Sequence, residues 1–135
     1  IVIDFGTATT FNAVNEQREF IGGAIAPGIR SSMDSLVSGT ARLPRVEIEI
    51  PKSVIGKNTT TNMQAGLVFG FAGLVDYIVK KMKKEMKQPN IRVVATGGFS
   101  EIIAAEISCI DHVDKLLTLQ GLKYLYDINS GAERR

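Results

Sequence analysis

Ile1-Val2-Ile3-Asp4-Phe5-Gly6-Thr7-Ala8-Thr9-Thr10 is the stretch on which the reading of this chain turns. Ile1 to Asp4 is an apolar run of strand length that ends in a carboxylate and stops at Phe5-Gly6. That pattern predicts a buried strand followed by a tight turn. An aspartate at the end of such a strand sits where a cation or a phosphate can reach it. Gly6 lets backbone approach an anion with no side chain in between. Thr7, Thr9 and Thr10 add hydroxyls and backbone N–H groups, so a phosphate can be held by a hairpin instead of a helix N-terminus. The same residues also make an ordinary polar hairpin with Asp4 as its cap, and short Gly/Thr/Asp motifs recur by chance. Both readings stay open on this stretch alone.

Working outward, Thr9 to Val14 is rich in β-branched and apolar residues, Asn15-Glu16-Gln17-Arg18 is a polar turn, and Glu19 to Ala26 reads as the returning strand. Together these predict a three-stranded meander. Pro27-Gly28 punctuates a turn into a helix over about Ile29 to Thr40. Ala41 to Lys52 carries Pro44 and Pro51 around an alternating Val46-Glu47-Ile48-Glu49-Ile50, a loop with room for a short edge strand. Asn58-Thr59-Thr60-Thr61 supplies N-cap chemistry for a long helix reaching to about Lys87. Met63, Leu67, Phe71, Leu74, Ile78 and Met82 form its apolar stripe. Gly66, Gly70 and Gly73 form a second stripe, each costing about 1 kcal/mol relative to Ala inside a helix. Their spacing predicts a close-packed backbone, from this chain or from a second subunit. Ile91 to Ala95 reads as a buried strand, Thr96-Gly97-Gly98 as a tight turn, and Phe99 to Glu106 as a short helix. Ile110 to Val113 is a short strand, and Thr118 to Tyr126 a closing helix with Leu119, Leu122 and Leu125 on one side.

Two further motifs bear on chemistry. Ala95-Thr96-Gly97-Gly98 places paired glycines between a strand and a helix, where adenine or ribose can lie on bare backbone, or where the chain simply turns. Ile55-Gly56-Lys57-Asn58-Thr59 precedes the long helix, whose free N–H groups favour a phosphate or carboxylate, or need only ordinary capping. Gly56-Lys57 is not a Walker A sequence, because the upstream glycine spacing and the preceding apolar strand are missing.

Composition bounds the rest. A chain of 135 residues makes one domain, burying roughly two-thirds of its unfolded surface. With 16 basic and 14 acidic residues, a net charge of +2 gives no general drive toward nucleic acid or membrane. One cysteine, Cys109, excludes an internal disulfide and suits a reducing cytoplasm. No stretch reads as long and apolar enough to span a bilayer. Asp111-His112-Val113-Asp114 has metal-ligand residue types but no further ligand at metal spacing, so a structural or surface role is expected. Lys80, Lys81, Lys83, Lys84 and Lys87 suit a solvated helix C-terminus, and no aromatic residues interleave with them as nucleic-acid binding would favour. The first residue is not methionine and the strand pattern is already under way, so the chain reads as a fragment of a longer protein.

Asp4 to Phe11 followed by Gly22-Gly23-Ala24-Ile25-Ala26-Pro27-Gly28-Ile29 resembles the second phosphate-binding motif of type III pantothenate kinases and the strand after it. Ile55 to Thr59 with Met63-Gln64-Ala65-Gly66 resembles that family's loop and interface helix, Val94 to Gly98 its adenosine motif, and Leu117 to Leu122 its C-terminal helix. The motifs keep the family's order across essentially the whole chain. The resemblance implies an α/β, ribonuclease-H-like domain of the actin-like ATPase superfamily, a mixed sheet with helices on its faces. It implies a single C-terminal domain over 1–135, with the N-terminal half absent. The implied activity is ATP-dependent phosphorylation of pantothenate to 4'-phosphopantothenate in coenzyme A biosynthesis. In that reading Asp4 coordinates a monovalent cation, potassium or ammonium; Gly6 and Thr7 contact ATP phosphate; Gly97 and Gly98 line the adenosine site. Thr59 binds pantothenate in the neighbouring subunit's site, the helix near 59–87 forms a homodimer, and Mg2+ accompanies the nucleotide. The family's first phosphate motif and its Gly-x-Asp-Arg segment, which carries the catalytic base, are absent, so the fragment is expected to be inactive alone. Phe99-Ser100 stands where Leu-Ala is usual, and Ala65 where Ser is common. An accessory transcription regulator binding DNA or a partner is the alternative from another class, and a sugar kinase of the same superfamily is a third.

Overall fold

The computed structural model describes residues 1–131. Three strands, β1 (Val2–Phe5), β2 (Ala8–Val14) and β3 (Phe20–Pro27), form the expected meander, both pairs antiparallel. Period-2 alternation made it legible: Ile3, Phe5, Thr9, Phe11 and Ala13 are buried, and the register sets Ile3 opposite Phe11 and Phe5 opposite Thr9. Helix α1 (Ile29–Ser38) follows, two residues shorter than expected because Gly39 closes it. Helix α2 (Thr59–Met86) crosses to β4 (Val94–Gly97), which lies parallel to β1; α3 (Ser100–Ala104) leads to β5 (His112–Val113), parallel to β4, and α4 (Leu117–Asn129) follows. The result is a mixed five-stranded sheet in the order β3-β2-β1-β4-β5.

The packing is one-sided. Ile29 and Met33 of α1, Val68, Val75 and Val79 of α2, and Ile103 of α3 join Ile3, Phe5, Phe11 and Ala95 in a single core. On the opposite face, Val2, Asp4, Thr10, Asn12 and Val94 are only half-buried, and Ile25 is 80% exposed. The helices that line this core gather on the Ile3–Phe5 face of the sheet.

Helix α2 starts where its sequence says. The Asn58 side chain accepts from Thr61 N at 2.9 Å, and the Thr61 hydroxyl accepts from Asn58 N at 3.2 Å, a reciprocal cap. Its core stripe differs from the expected one. Met63, Leu67 and Phe71 are buried, but the stripe then passes through Val75 and Val79, while Leu74, Ile78 and Met82 are half-buried. At 100° per residue the buried Phe71, Val75 and Val79 fall about 80–160° round from Met63, so Leu74 and Ile78, at about 20° and 60°, lie on the flank of the inward face. The glycine stripe also has a definite outcome: a Cβ added at Gly66, Gly70 or Gly73 would meet nothing within 4 Å. No backbone among the described residues packs there. By length and composition α2 is apolar enough to cross a bilayer, contrary to the sequence expectation, with mean hydropathy 1.3. Its most apolar side nonetheless lies against the sheet.

No strand forms over 41–52. Val46 and Ile48 are buried, and the segment is tied to α2 by Gln64, whose amide donates to Glu47 O at 2.9 Å and to Glu49 Oε1 at 3.1 Å. β4 begins at Val94, later than Ile91, because Val93 N is taken by the Asp111 carboxylate at 2.6 Å. It runs through Thr96 and Gly97, which the sequence placed in the turn.

Thr9 is fully buried on the covered face, and its Oγ1 has no hydrogen-bond partner among the described residues. Removing an unpaired buried hydroxyl while keeping the shape relieves a desolvation cost. Thr9→Val is therefore expected to leave stability unchanged or raise it by about 1 kcal/mol, read from urea unfolding. A loss above about 1 kcal/mol would show that the hydroxyl is paired.

Candidate functional site

Strands β1 and β4 run parallel and end together, which is where open α/β sheets place ligands. Their register sets Asp4 beside Thr96 and Phe5 beside Gly97. Gly97 has φ +91°, a conformation side chains resist. A Cβ there would lie 2.7 Å from Asp4 Oδ1 and 2.6 Å from Phe5 O. The Asp4 carboxylate thus rests directly against bare backbone. It forms no ion pair among the described residues.

The β1–β2 turn is fixed from two sides. Gly6 N donates to Ala8 O at 3.1 Å, closing the turn. The Thr7 carbonyl accepts from Gly28 N at 3.2 Å and from Ser31 Oγ at 2.8 Å, so the first turn of α1 holds it in place. A Cβ at Gly28 would collide with Thr7 O, and one at Gly6 would come 3.7 Å from Asp4 Oδ1. Beyond Gly97-Gly98, the Arg30 guanidinium lies 5.5 Å from the centre of the Phe99 ring. The Ser100 hydroxyl donates to Gly97 O at 2.7 Å and anchors the turn from below.

Asp4, Gly6, Thr7 and Gly97 therefore converge on one mouth, and Gly98 borders it. The arrangement offers a carboxylate for a cation, hydroxyl and N–H donors for phosphate, and a flat backbone surface for a planar ring. Thr59 is not part of it. It opens α2 and lines a separate depression with Leu36, Leu43, Asn62, Met63 and Leu67, near the far end of α1 from Ser31. A groove between β3 and the second half of α2, lined by Ile21, Tyr77, Ile78 and Met82, is also remote from Asp4. Sequence reasoning missed Gly28, Ser31 and Arg30 as site neighbours. Pro27-Gly28 signalled a helix start, but no linear pattern says which turn that start will abut.

The remaining candidates have structural employment. Asp111 accepts from Val93 N, and Asp114 accepts from Leu116 N at 2.9 Å. His112 is exposed, and no three His, Cys, Asp or Glu residues cluster at metal distance among the described residues. Lys80 pairs with Asp76 at 2.6 Å, and Lys81 lies over Tyr77. Burial pushes the half-buried Cys109 thiol up from its ordinary value, and the Asp76 carboxylate adds to this against Lys83 and Lys80.

With this geometry in view, similarity to known proteins becomes informative. The sequence profile of the family described as type III pantothenate kinase matches residues 1–81. A type III pantothenate kinase from Finegoldia magna is 50% identical over 131 residues, which cover 96% of this chain and 50% of that protein. A crystal structure from Campylobacter jejuni, described as that of a Baf family transcriptional activator, superposes with a TM-score of 0.66 at 22% identity, covering 96% of this chain and 58% of its own. That last likeness shows a shared fold. The strands and helices define a domain of mixed α/β architecture. The chain belongs to the type III pantothenate kinase family, and it spans about half the length of the curated relative it matches.

Two outcomes check this geometry. Gly97→Ala is expected to destabilise by roughly 1–3 kcal/mol, from its strained backbone and the clash with β1, in denaturant unfolding. Gly98→Ala, whose Cβ meets nothing within 4 Å, is expected to stay within about 0.5 kcal/mol of wild type. Equal effects would refute the placement. With its thiol held protonated, Cys109 is expected to react with iodoacetamide at neutral pH several-fold more slowly than free cysteine. A rate at or above that of free cysteine would contradict the burial.

Proposed function

We propose that this chain is the C-terminal half of a type III pantothenate kinase, a ribonuclease-H-like domain that holds ATP while the pantothenate hydroxyl is phosphorylated to 4'-phosphopantothenate in the cytoplasm. The observation that carries the reading is the Asp4 carboxylate, free of any ion pair among the described residues, set against Gly97 and beside the Gly6-Thr7 turn. The 3-2-1-4-5 strand order supports the fold assignment. Half-length identity to a named kinase supports the activity.

Phosphoryl transfer asks a protein chiefly to position charges and to neutralise the charge that develops. In this reading the Thr7 hydroxyl and the turn's N–H groups orient the ATP phosphates, while Gly97 and Gly98 receive the adenosine. Asp4 would hold the monovalent cation, potassium or ammonium, and the residues fit it: a hard carboxylate oxygen at the end of β1, free of any ion pair among the described residues. Bound there, the cation and the nucleotide's Mg2+ would supply positive charge beside the phosphates. Thr59, outside the Asp4 mouth, would contact pantothenate in a neighbouring subunit's site. The open glycine face of α2 is where a second copy would pack. The residue that orients the pantothenate hydroxyl would lie in the other half, so this chain is expected to bind nucleotide and not to turn it over.

The regulator alternative gains no observation of its own, since Lys80 and Lys81 are engaged within α2. In thermal shift measurements, ATP is expected to raise the melting temperature of this chain more in potassium chloride than in sodium chloride. Asp4→Asn is expected to abolish that difference. Potassium sensitivity that survives in Asp4→Asn would sink the assignment of the cation, and pantothenate-dependent ATP hydrolysis by the chain alone would sink the half-enzyme reading.

A further inference from the structure

Arg30 stands where its own helix disfavours it. It is the second residue of α1 and is exposed. A cation in the first turn opposes the positive end of the helix dipole, and no acidic residue in that turn offsets it. The guanidinium takes part in no ion pair among the described residues. What it does meet is the Phe99 ring, 5.5 Å from its centre, inside the range of a cation–π contact.

Both ends of that contact are fixed to the mouth. Arg30 lies between Gly28 and Ser31, whose N–H and hydroxyl donate to the Thr7 carbonyl at 3.2 and 2.8 Å. Phe99 follows Gly98 directly, is half-buried against the core, and caps α3. The next residue ties it down, since the Ser100 hydroxyl donates to Gly97 O at 2.7 Å. The pair therefore bridges the Thr7 turn to the two glycines. Gly98 is exposed and a Cβ there would meet nothing within 4 Å, so the backbone next to Phe99 borders open space.

A guanidinium is planar and weakly hydrated, and it stacks on flat π-systems in a way an ammonium does not. With Phe99 on one side of it, the rest of the Arg30 head is free to receive a second flat group. A nucleobase can stack there by its face, with no reading of its hydrogen-bonding edge, and a two-ring purine covers more of such a surface than a one-ring pyrimidine.

We propose that Arg30, supported by Phe99, is a specificity-determining residue of the nucleotide site: its guanidinium is the wall on which the base of a purine nucleoside triphosphate stacks beside Gly98. This inference rests on the reading above that puts adenosine at Gly97 and Gly98, and it names the side chain that favours purine over pyrimidine. Arg30 touches the base. Phe99 is a positioning residue that acts by holding the guanidinium.

The test measures ATP and CTP binding to the 135-residue chain by titration calorimetry in potassium chloride with Mg2+. The wild-type chain is expected to bind ATP about fivefold more tightly than CTP, a margin within reach of one stacking contact. Arg30→Gln and Phe99→Leu are each expected to bring the ratio to within about twofold, mainly by weakening ATP. Arg30→Gln replaces an exposed side chain and should melt within a degree or two of wild type. A ratio taken on one variant also cancels any loss of folded material. An unchanged ratio in Arg30→Gln overturns the proposal, and an unchanged ratio in Phe99→Leu alone overturns the positioning role of Phe99. Equal weakening of both nucleotides also overturns it, since the guanidinium would then contact phosphate or ribose. A wild-type chain that binds CTP as tightly as ATP refutes the wall and leaves the nucleotide site standing. If neither nucleotide binds the wild-type chain, the nucleotide-holding reading itself falls, and the wall with it.

Discussion

Everything at the mouth depends on the absence of one carbon atom. At Gly97 the backbone of β4 passes so close to the Asp4 carboxylate and the Phe5 carbonyl that no side chain fits between them. The parallel pairing of β1 with β4 can therefore bring a charged group to the sheet's edge and still leave open backbone beside it. A second close approach, Gly28 against the Thr7 carbonyl, fixes the neighbouring turn to α1. Three segments far apart in sequence are thus held together by backbone contacts, and among the described residues the Asp4 carboxylate there takes part in no ion pair.

The meander was readable because buried strands with short turns announce themselves by alternation and by polar punctuation. The start of α2 was equally plain, since Asn58 and Thr61 cap each other through side chains the sequence displays. What escaped was relational. Gly97 reads as a turn residue because glycine usually is one, yet here it ends a strand at positive φ. The inward face of α2 is set by where the sheet lies, so it centres on the smaller Val68, Val75 and Val79 and leaves Leu74 and Ile78 on its flank. Asp4 and Gly97 lie against each other with Gly6 beside them, Thr59 sits in another depression, and Gly28, which reads as a helix start, abuts the Thr7 carbonyl.

The chain divides its surface unevenly. One face of the sheet is sealed by α1, α2 and α3, and the other carries half-buried polar residues and an exposed Ile25. The glycines of α2 face open space, and α4 carries apolar residues round most of its girth. The uncovered regions are separate and differ in character: a smooth glycine ridge on α2 and a helix, α4, rich in exposed leucine and tyrosine.

The pairing of β1 with β4 has a kinetic side. Val2 finds its partner in Val94, across nearly the whole of the meander and both long helices. Closing so large a loop is entropically expensive before the contact repays it, and contacts of long sequence separation slow folding. The meander can assemble early from near neighbours. The aspartate at its edge acquires its glycine companion only after α2 has laid the chain back across the sheet, so a polypeptide emerging from a ribosome would carry most of its mass before it could first recognise anything.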